Sequence, residues 1–146
     1  MKYLAIIGSR DYPIKDIQYV INELCLWLLQ RQRMIERGQL PPICIVSGAG
    51  GNVDITAENM AKKWVLPYLI FPADWPMYDN YAGPTRNGYI ATVAQAAVAF
   101  CRNPQHPSKG TANCLSQFKD LGKPTMTFTH EQLDLVKMFI DIFQNT

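Results

Sequence analysis

The chain has 146 residues, of which 48% are hydrophobic and 18% charged; that is enough apolar content for one full core and too much for a disordered segment. Its net charge is +2, so composition offers no basic field for nucleic acid and no complement to an anionic membrane. Any anion site has to be built locally. Residues 3–7 (YLAII) read as a short strand ending at Gly8. From Asp16, apolar residues Ile17, Val20, Ile21, Leu24 and Leu28 recur at three- and four-residue spacing, which predicts a long helix reaching about Glu36, stopped by Gly38 and Pro41-Pro42. Ile43–Val46 reads as a second strand, and a second helix is expected from near Asp54 with Ala57, Met60, Ala61 and Trp64 on one face. Residues 68–71 (YLIF) read as a third strand, followed by a long ordered loop from Pro72 to about Pro84. A helix from about Pro84, a strand over Ala97–Cys101 and a polar loop over Arg102–Lys109 come next. Gly110 or Thr111 then opens a helix to Leu121, Gly122-Lys123-Pro124 punctuates it, and Thr125–Phe128 reads as a fifth strand. Thr129 or His130 is expected to cap a last helix that turns Leu133, Val136, Phe139, Ile140 and Phe143 to the core.

Strands alternating with helices imply a parallel sheet with right-handed crossovers. The expected architecture is α/β: a three-layer αβα Rossmann-like fold with a mainly parallel five-stranded sheet of order 3-2-1-4-5, as a single domain over residues 1–146. Ligands in such sheets sit outside the carboxyl ends of the strands, where the order reverses. The loops there are Gly8–Asp11 and Arg102–Gly110, with the turn after the second strand beside them.

Three strand-to-helix turns carry anion-friendly chemistry. In Gly8-Ser9-Arg10-Asp11, Gly8 permits close approach, Ser9 supplies a hydroxyl and Arg10 a guanidinium fork for phosphate; an ordinary turn with Arg10 paired to Asp11 is the other reading. In Ser47-Gly48-Ala49-Gly50-Gly51-Asn52-Val53-Asp54, Gly48, Gly50 and Gly51 free backbone N–H groups to face an anion at a helix start. Asp54 serves there either as a helix cap or as a partner for a ribose hydroxyl, with Glu58 one turn on as a second carboxylate. Lys109-Gly110-Thr111 repeats the pattern. In the long loop, Trp75, Tyr78 and Tyr81 suit either base stacking or a satellite core, and Arg86, read as lying in a first helical turn, makes sense if it faces an anion or a carboxylate.

Other chemistries find little support. Cys25, Cys44, Cys101 and Cys114 form no C-x-x-C pair and read as buried free thiols in a reducing cytosol. No metal and no cofactor is expected. His106 reads as a surface-loop residue, His130 as a helix-start residue, and no G-x-S-x-G elbow is present. Met1–Ile7 is too short for a signal-peptide core or a membrane span, and no later stretch is long and apolar enough to span a bilayer; the expected location is the cytoplasm, away from membranes.

Taken together, Gly8-Ser9-Arg10-Asp11, the Gly-rich turn ending in Asp54, FPADW at 71–75, AGPTRN at 82–87 and KGTAN at 109–113 resemble the SLOG superfamily, in particular its YspA-like, YpsA-related branch of small Rossmann-like proteins. Lonely Guy phosphoribohydrolases and DprA are relatives of that branch. The resemblance implies a pocket for a nucleotide or a nucleotide-derived phosphate, and it carries over Gly8, Ser9, Arg10, Gly48, Asp54, Asp74, Trp75, Arg86, Asn87, Gly110 and Thr111 as binding positions. Gly51 stands where the branch commonly has a phosphate-holding Arg, and the stretch Ser108–Cys114 lacks the catalytic Glu of the Lonely Guy motif. The expected function is therefore a sensor or binding module for a nucleotide-like small molecule. The alternative is a nucleotide-processing N-glycosidase whose carboxylate would be Asp54, Glu58 or Asp74. Nucleic acid is disfavoured as a partner, and a homo-oligomer is compatible with the sequence.

Overall fold

Leu4 and Ile6 point to one face of the first strand and Ala5 and Ile7 to the other, as the two-residue period of a strand requires, and all four are buried. This strand is therefore covered on both sides. The computed structural model describes residues 1–146, apart from the side chain of Asp79. Its strands are β1 (Lys2–Gly8), β2 (Ile43–Ser47), β3 (Tyr68–Ile70), β4 (Ala96–Phe100) and β5 (Thr125–Phe128). All neighbours pair in parallel, in the order β3-β2-β1-β4-β5, which is the order expected from the alternation of elements. Ala5 sits opposite Val46 on β2 and Ala97 on β4.

The helices are α1 (Ile14–Gln30), α2 (Gln32–Glu36), α3 (Asn52–Lys63), α4 (Trp75–Tyr78), α5 (Ala82–Val93), α6 (Lys109–Asp120) and α7 (Leu133–Gln144), with a 3-10 turn at Asp79–Tyr81. One core joins Leu4, Ile6, Val98 and Phe100 of the sheet to Ile17, Val20, Ile21 and Leu24 of α1, Val53 and Ala57 of α3, and Val136 and Ile140 of α7. The second core, on the opposite face, joins Ala5, Ile7, Ala97 and Ala99 to Ile90 and Ala91 of α5 and to Cys114 and Phe118 of α6. The second face of the sheet is surfaced largely with alanine.

Several boundaries differ from those read off the sequence. The expected helix to Glu36 breaks at Arg31, which leaves α2 as a separate turn. The long loop from Pro72 to Pro84 is largely helical: α4 and the 3-10 turn fill it, and α5 begins at Ala82. Trp75 is 51% and Tyr81 75% exposed, so neither belongs to a satellite core. β4 runs one residue earlier than expected, and Cys101 follows it. α7 starts at Leu133; His130, expected as its cap, instead donates its backbone N–H to the buried Tyr12 Oη at 2.8 Å, with its Nδ1 2.9 Å from the same oxygen. That contact ties the loop after β1 to the loop after β5. Among the described residues no helix is long and apolar enough to cross a membrane.

Candidate phosphate-binding cleft

The strand order reverses between β1 and β4, so the segments leaving their carboxyl ends diverge to opposite faces of the sheet. A cleft of about 240 Å³ opens there. The end of β1 contributes Ile7 and Gly8, and the segments running into α1 and α3 contribute Arg10, Gly50 and Asp54. Arg86, Asn87 and Ile90 come from α5, and Ser108, Gly110, Thr111 and Cys114 from the start of α6. Eight expected positions thus line one cavity: Gly8, Arg10, Gly50, Asp54, Arg86, Asn87, Gly110 and Thr111.

Close backbone packing builds its first wall. A Cβ on Gly8 would lie 2.4 Å from the Phe100 carbonyl oxygen, and one on Gly51 2.3 Å from the Arg10 Cα. The Asn52 N–H donates to the Arg10 carbonyl at 2.8 Å, which locks the β1 loop onto the Gly-rich turn. No side chain therefore fits at Gly51, where the resembling branch has its Arg. Positive charge reaches the turn from elsewhere. The Arg86 guanidinium donates through Nη1 to the Gly48 carbonyl at 2.8 Å and through Nε to Asn87 Oδ1 at 2.9 Å. Arg86 lies in the second turn of α5 and not, as expected, in the first, so its side chain reaches across the cleft and its helix-dipole cost is small. No side chain caps the first-turn amides of α3 or α6; both helix starts adjoin the cleft, where an anion would complement them.

Asp54 stands within the first turn of α3 and is buried. It does not cap that helix; Gly51 holds the cap position. Asp54 Oδ2 instead accepts the Gly50 N–H at 3.0 Å, while Oδ1 is buried with no partner among the described residues. Burial raises its pKa above the ordinary carboxylate value, offset in part by the Gly50 N–H, the charge of Arg86, the Ser47 hydroxyl and the charge of Arg10. Among the described residues no ion pair joins Asp54 to either arginine, or Arg10 to Asp11. Burial lifts the Cys114 thiol to about 12, which keeps it protonated and unreactive. No group of three or more potential metal ligands occurs among the described residues.

Asn87 ties the two helices that flank the cleft. Its Nδ2 donates to Asn113 Oδ1 at 3.0 Å and to the Gly110 carbonyl at 3.3 Å, and Gln117 adds a bond from Nε2 to the same Asn113 oxygen at 3.1 Å. The remaining expected positions lie outside the lining. Ser9 continues the sheet, donating its N–H to Phe100 O at 3.1 Å. Gly48 and Gly51 back the lining by holding Arg86 and Arg10. Asp74 is exposed and accepts the Met77 N–H at 3.2 Å, stabilising the start of α4, and Trp75 packs toward Gly83. Glu58 faces away from the cleft and pairs with Lys62 at 2.6 Å. The sequence reading missed Ile7, Ile90, Ser108 and Cys114. Ser108 had a usable signal, a hydroxyl residue immediately before a helix start; the other three are indistinguishable in sequence from core residues.

No family model and no curated protein matches the chain. Among solved structures it is similar to the X-ray structure of DNA processing protein A (DprA) from Streptococcus pneumoniae, with a TM-score of 0.57 and 14% sequence identity over 87% of this chain and 50% of that one. The chain thus spans about half the length of that protein. DprA is among the relatives implied by the SLOG resemblance. The likeness shows a shared fold: a Rossmann-like parallel sheet of order β3-β2-β1-β4-β5, with helices on both faces.

Proposed function

We propose that the chain binds a nucleotide or nucleotide-derived phosphate in the cleft between the carboxyl ends of β1 and β4, as a sensor or ligand-binding module of the YspA-like kind. One observation carries the reading: two arginines from distant segments, Arg10 and Arg86, line the same small cavity beside the starts of α3 and α6. Arginine forks and open helix amides both favour anionic oxygens, and phosphate offers enough of them to engage both at once. The titration of nucleoside 5′-monophosphates into the protein, followed by calorimetry, tests this. Arg86→Ala is expected to weaken binding by about 1.5–3 kcal/mol, the range for hydrogen bonds to charged groups. Unchanged affinity removes Arg86 from the site, and no heat with any nucleotide at millimolar concentration sinks the reading.

N-glycosidic hydrolysis is the second reading, and one observation favours it. Of the three carboxylates considered for it, Asp54 alone lines the cleft, and its raised pKa suits a proton donor. Release of free base from a nucleoside monophosphate, lost in Asp54→Asn, would establish it; intact nucleotide after prolonged incubation excludes it.

A further inference from the structure

The unpartnered oxygen of Asp54 narrows the ligand. Asp54 is 8% exposed and lines the cleft, yet its two carboxylate oxygens are treated differently. Oδ2 takes the Gly50 N–H; Oδ1 has no hydrogen-bond partner among the described residues. The Ser47 hydroxyl lies close enough to the carboxylate to help hold its charge, but its single proton goes to the Ile6 carbonyl at 2.6 Å, so Oδ1 gains no geometric donor from it. A buried acceptor left empty is costly, and native interiors keep few of them. The fold has nevertheless placed this one beside two arginines.

The phosphate of a monoester does not satisfy Oδ1, because near neutral pH it is largely doubly ionised, brings negative charge toward a carboxylate and keeps no donor of its own. A ligand that satisfies both halves of the cleft carries an anion and a hydrogen-bond donor in one molecule. Size narrows it further. At about 240 Å³ the cleft lies below the roughly 300–1,000 Å³ of cavities that enclose a drug-sized ligand. It suits a sugar phosphate better than a whole nucleotide, whose base would project outward.

We infer that Asp54 reads a sugar hydroxyl: Oδ1 accepts a hydrogen bond from a ribose-type hydroxyl while Arg10, Arg86 and the start of α3 hold the attached phosphate. This rests on the phosphate-cleft reading above and names the ligand class, a pentose phosphate or the pentose-phosphate part of a nucleotide. Asp54 is the specificity residue and the arginines are the anchors.

The test compares inorganic phosphate, pentyl phosphate, ribose 5-phosphate and adenosine monophosphate by calorimetry on the wild-type chain and on Asp54→Asn. Wild type is expected to bind ribose 5-phosphate at least about tenfold more tightly than pentyl phosphate, the scale of one hydrogen bond to a charged group. Asp54→Asn should bring the two affinities together without weakening pentyl phosphate. The wild-type comparison needs no variant, so it decides the matter even if Asp54→Asn does not fold. If wild type binds ribose 5-phosphate and pentyl phosphate alike, the inference is overturned while the phosphate cleft stands; the same holds if only adenosine monophosphate gains, since the donor is then on the base. If none of the four binds, the phosphate cleft itself fails and the inference with it.

Discussion

Burial of Asp54 leaves a mark on stability as well as on recognition. Desolvation raises its folded-state pKa above the value of the unfolded chain. Between the ordinary aspartate value, about 3.9, and that raised value, the folded state binds more protons than the unfolded one, so stability falls as pH rises through this window. Asp54→Asn should flatten that slope; melting temperatures of both proteins from pH 4 to pH 8 check it, and parallel curves would mean that Asp54 is not the group responsible. Gly51 makes a steric prediction. Its missing Cβ leaves 2.3 Å to the Arg10 Cα, which is backbone and cannot swing aside. Gly51→Ala is expected to destabilise by about 1–3 kcal/mol through overpacking, read as a lower urea midpoint. These residues show what could be read in advance. Gly8, Arg10, Gly50 and Gly110 announced themselves by type and by place after a strand. That Arg86 would reach the Gly48 carbonyl, 38 positions away in sequence, depends on the packing of α5 against the sheet, and no local pattern encodes it.

Two helices end in the same hydrogen-bond pattern with different residues at its left-handed position. After α6, the N–H of Gly122 donates to Lys119 O and that of Lys123 to Phe118 O, with Gly122 at φ +68°. After α3, Val65 donates to Lys62 O and Leu66 to Ala61 O in the same Schellman pattern, but Val65 occupies the left-handed position at φ +55° while 87% exposed. A β-branched residue there is strained by roughly 1–2 kcal/mol, part of which glycine returns as lost chain entropy. Val65→Gly is therefore expected to stabilise by about 0.5–1 kcal/mol, raising the melting temperature by about 1–4 °C; a lower melting temperature would contradict this. Element type was legible wherever a period could be followed, as in α1, α3 and α7. The segment from Pro72 to Pro84 was not, because three prolines, a glycine and several aromatics look like a loop. In the structure, the exposed carboxylate of Asp74 starts a turn at Trp75, and Pro84 sits in the first turn of α5, where its missing N–H has no partner to lose.

At the scale of the molecule, sheet order decides where chemistry can occur. Five buried or half-buried runs separated by amphipathic helices pointed to β3-β2-β1-β4-β5, and that order brings the loops after β1, β2 and β4 to one edge. The overall fold is shared with DprA at 14% identity, so few particular side chains are needed to specify it. What the sequence left open was which loop residues share a cavity: the segments of the cleft lie up to about a hundred positions apart and meet only once the sheet has formed. The most direct test is a heteronuclear NMR titration of the labelled chain with ribose 5-phosphate. The account predicts concentration-dependent shifts concentrated at the amides of Gly8–Arg10, Gly50–Asp54 and Gly110–Thr111, with the Arg86 side chain following. Shifts confined to Trp75–Tyr81 and the β3 edge, or no shifts at millimolar ligand, would contradict it.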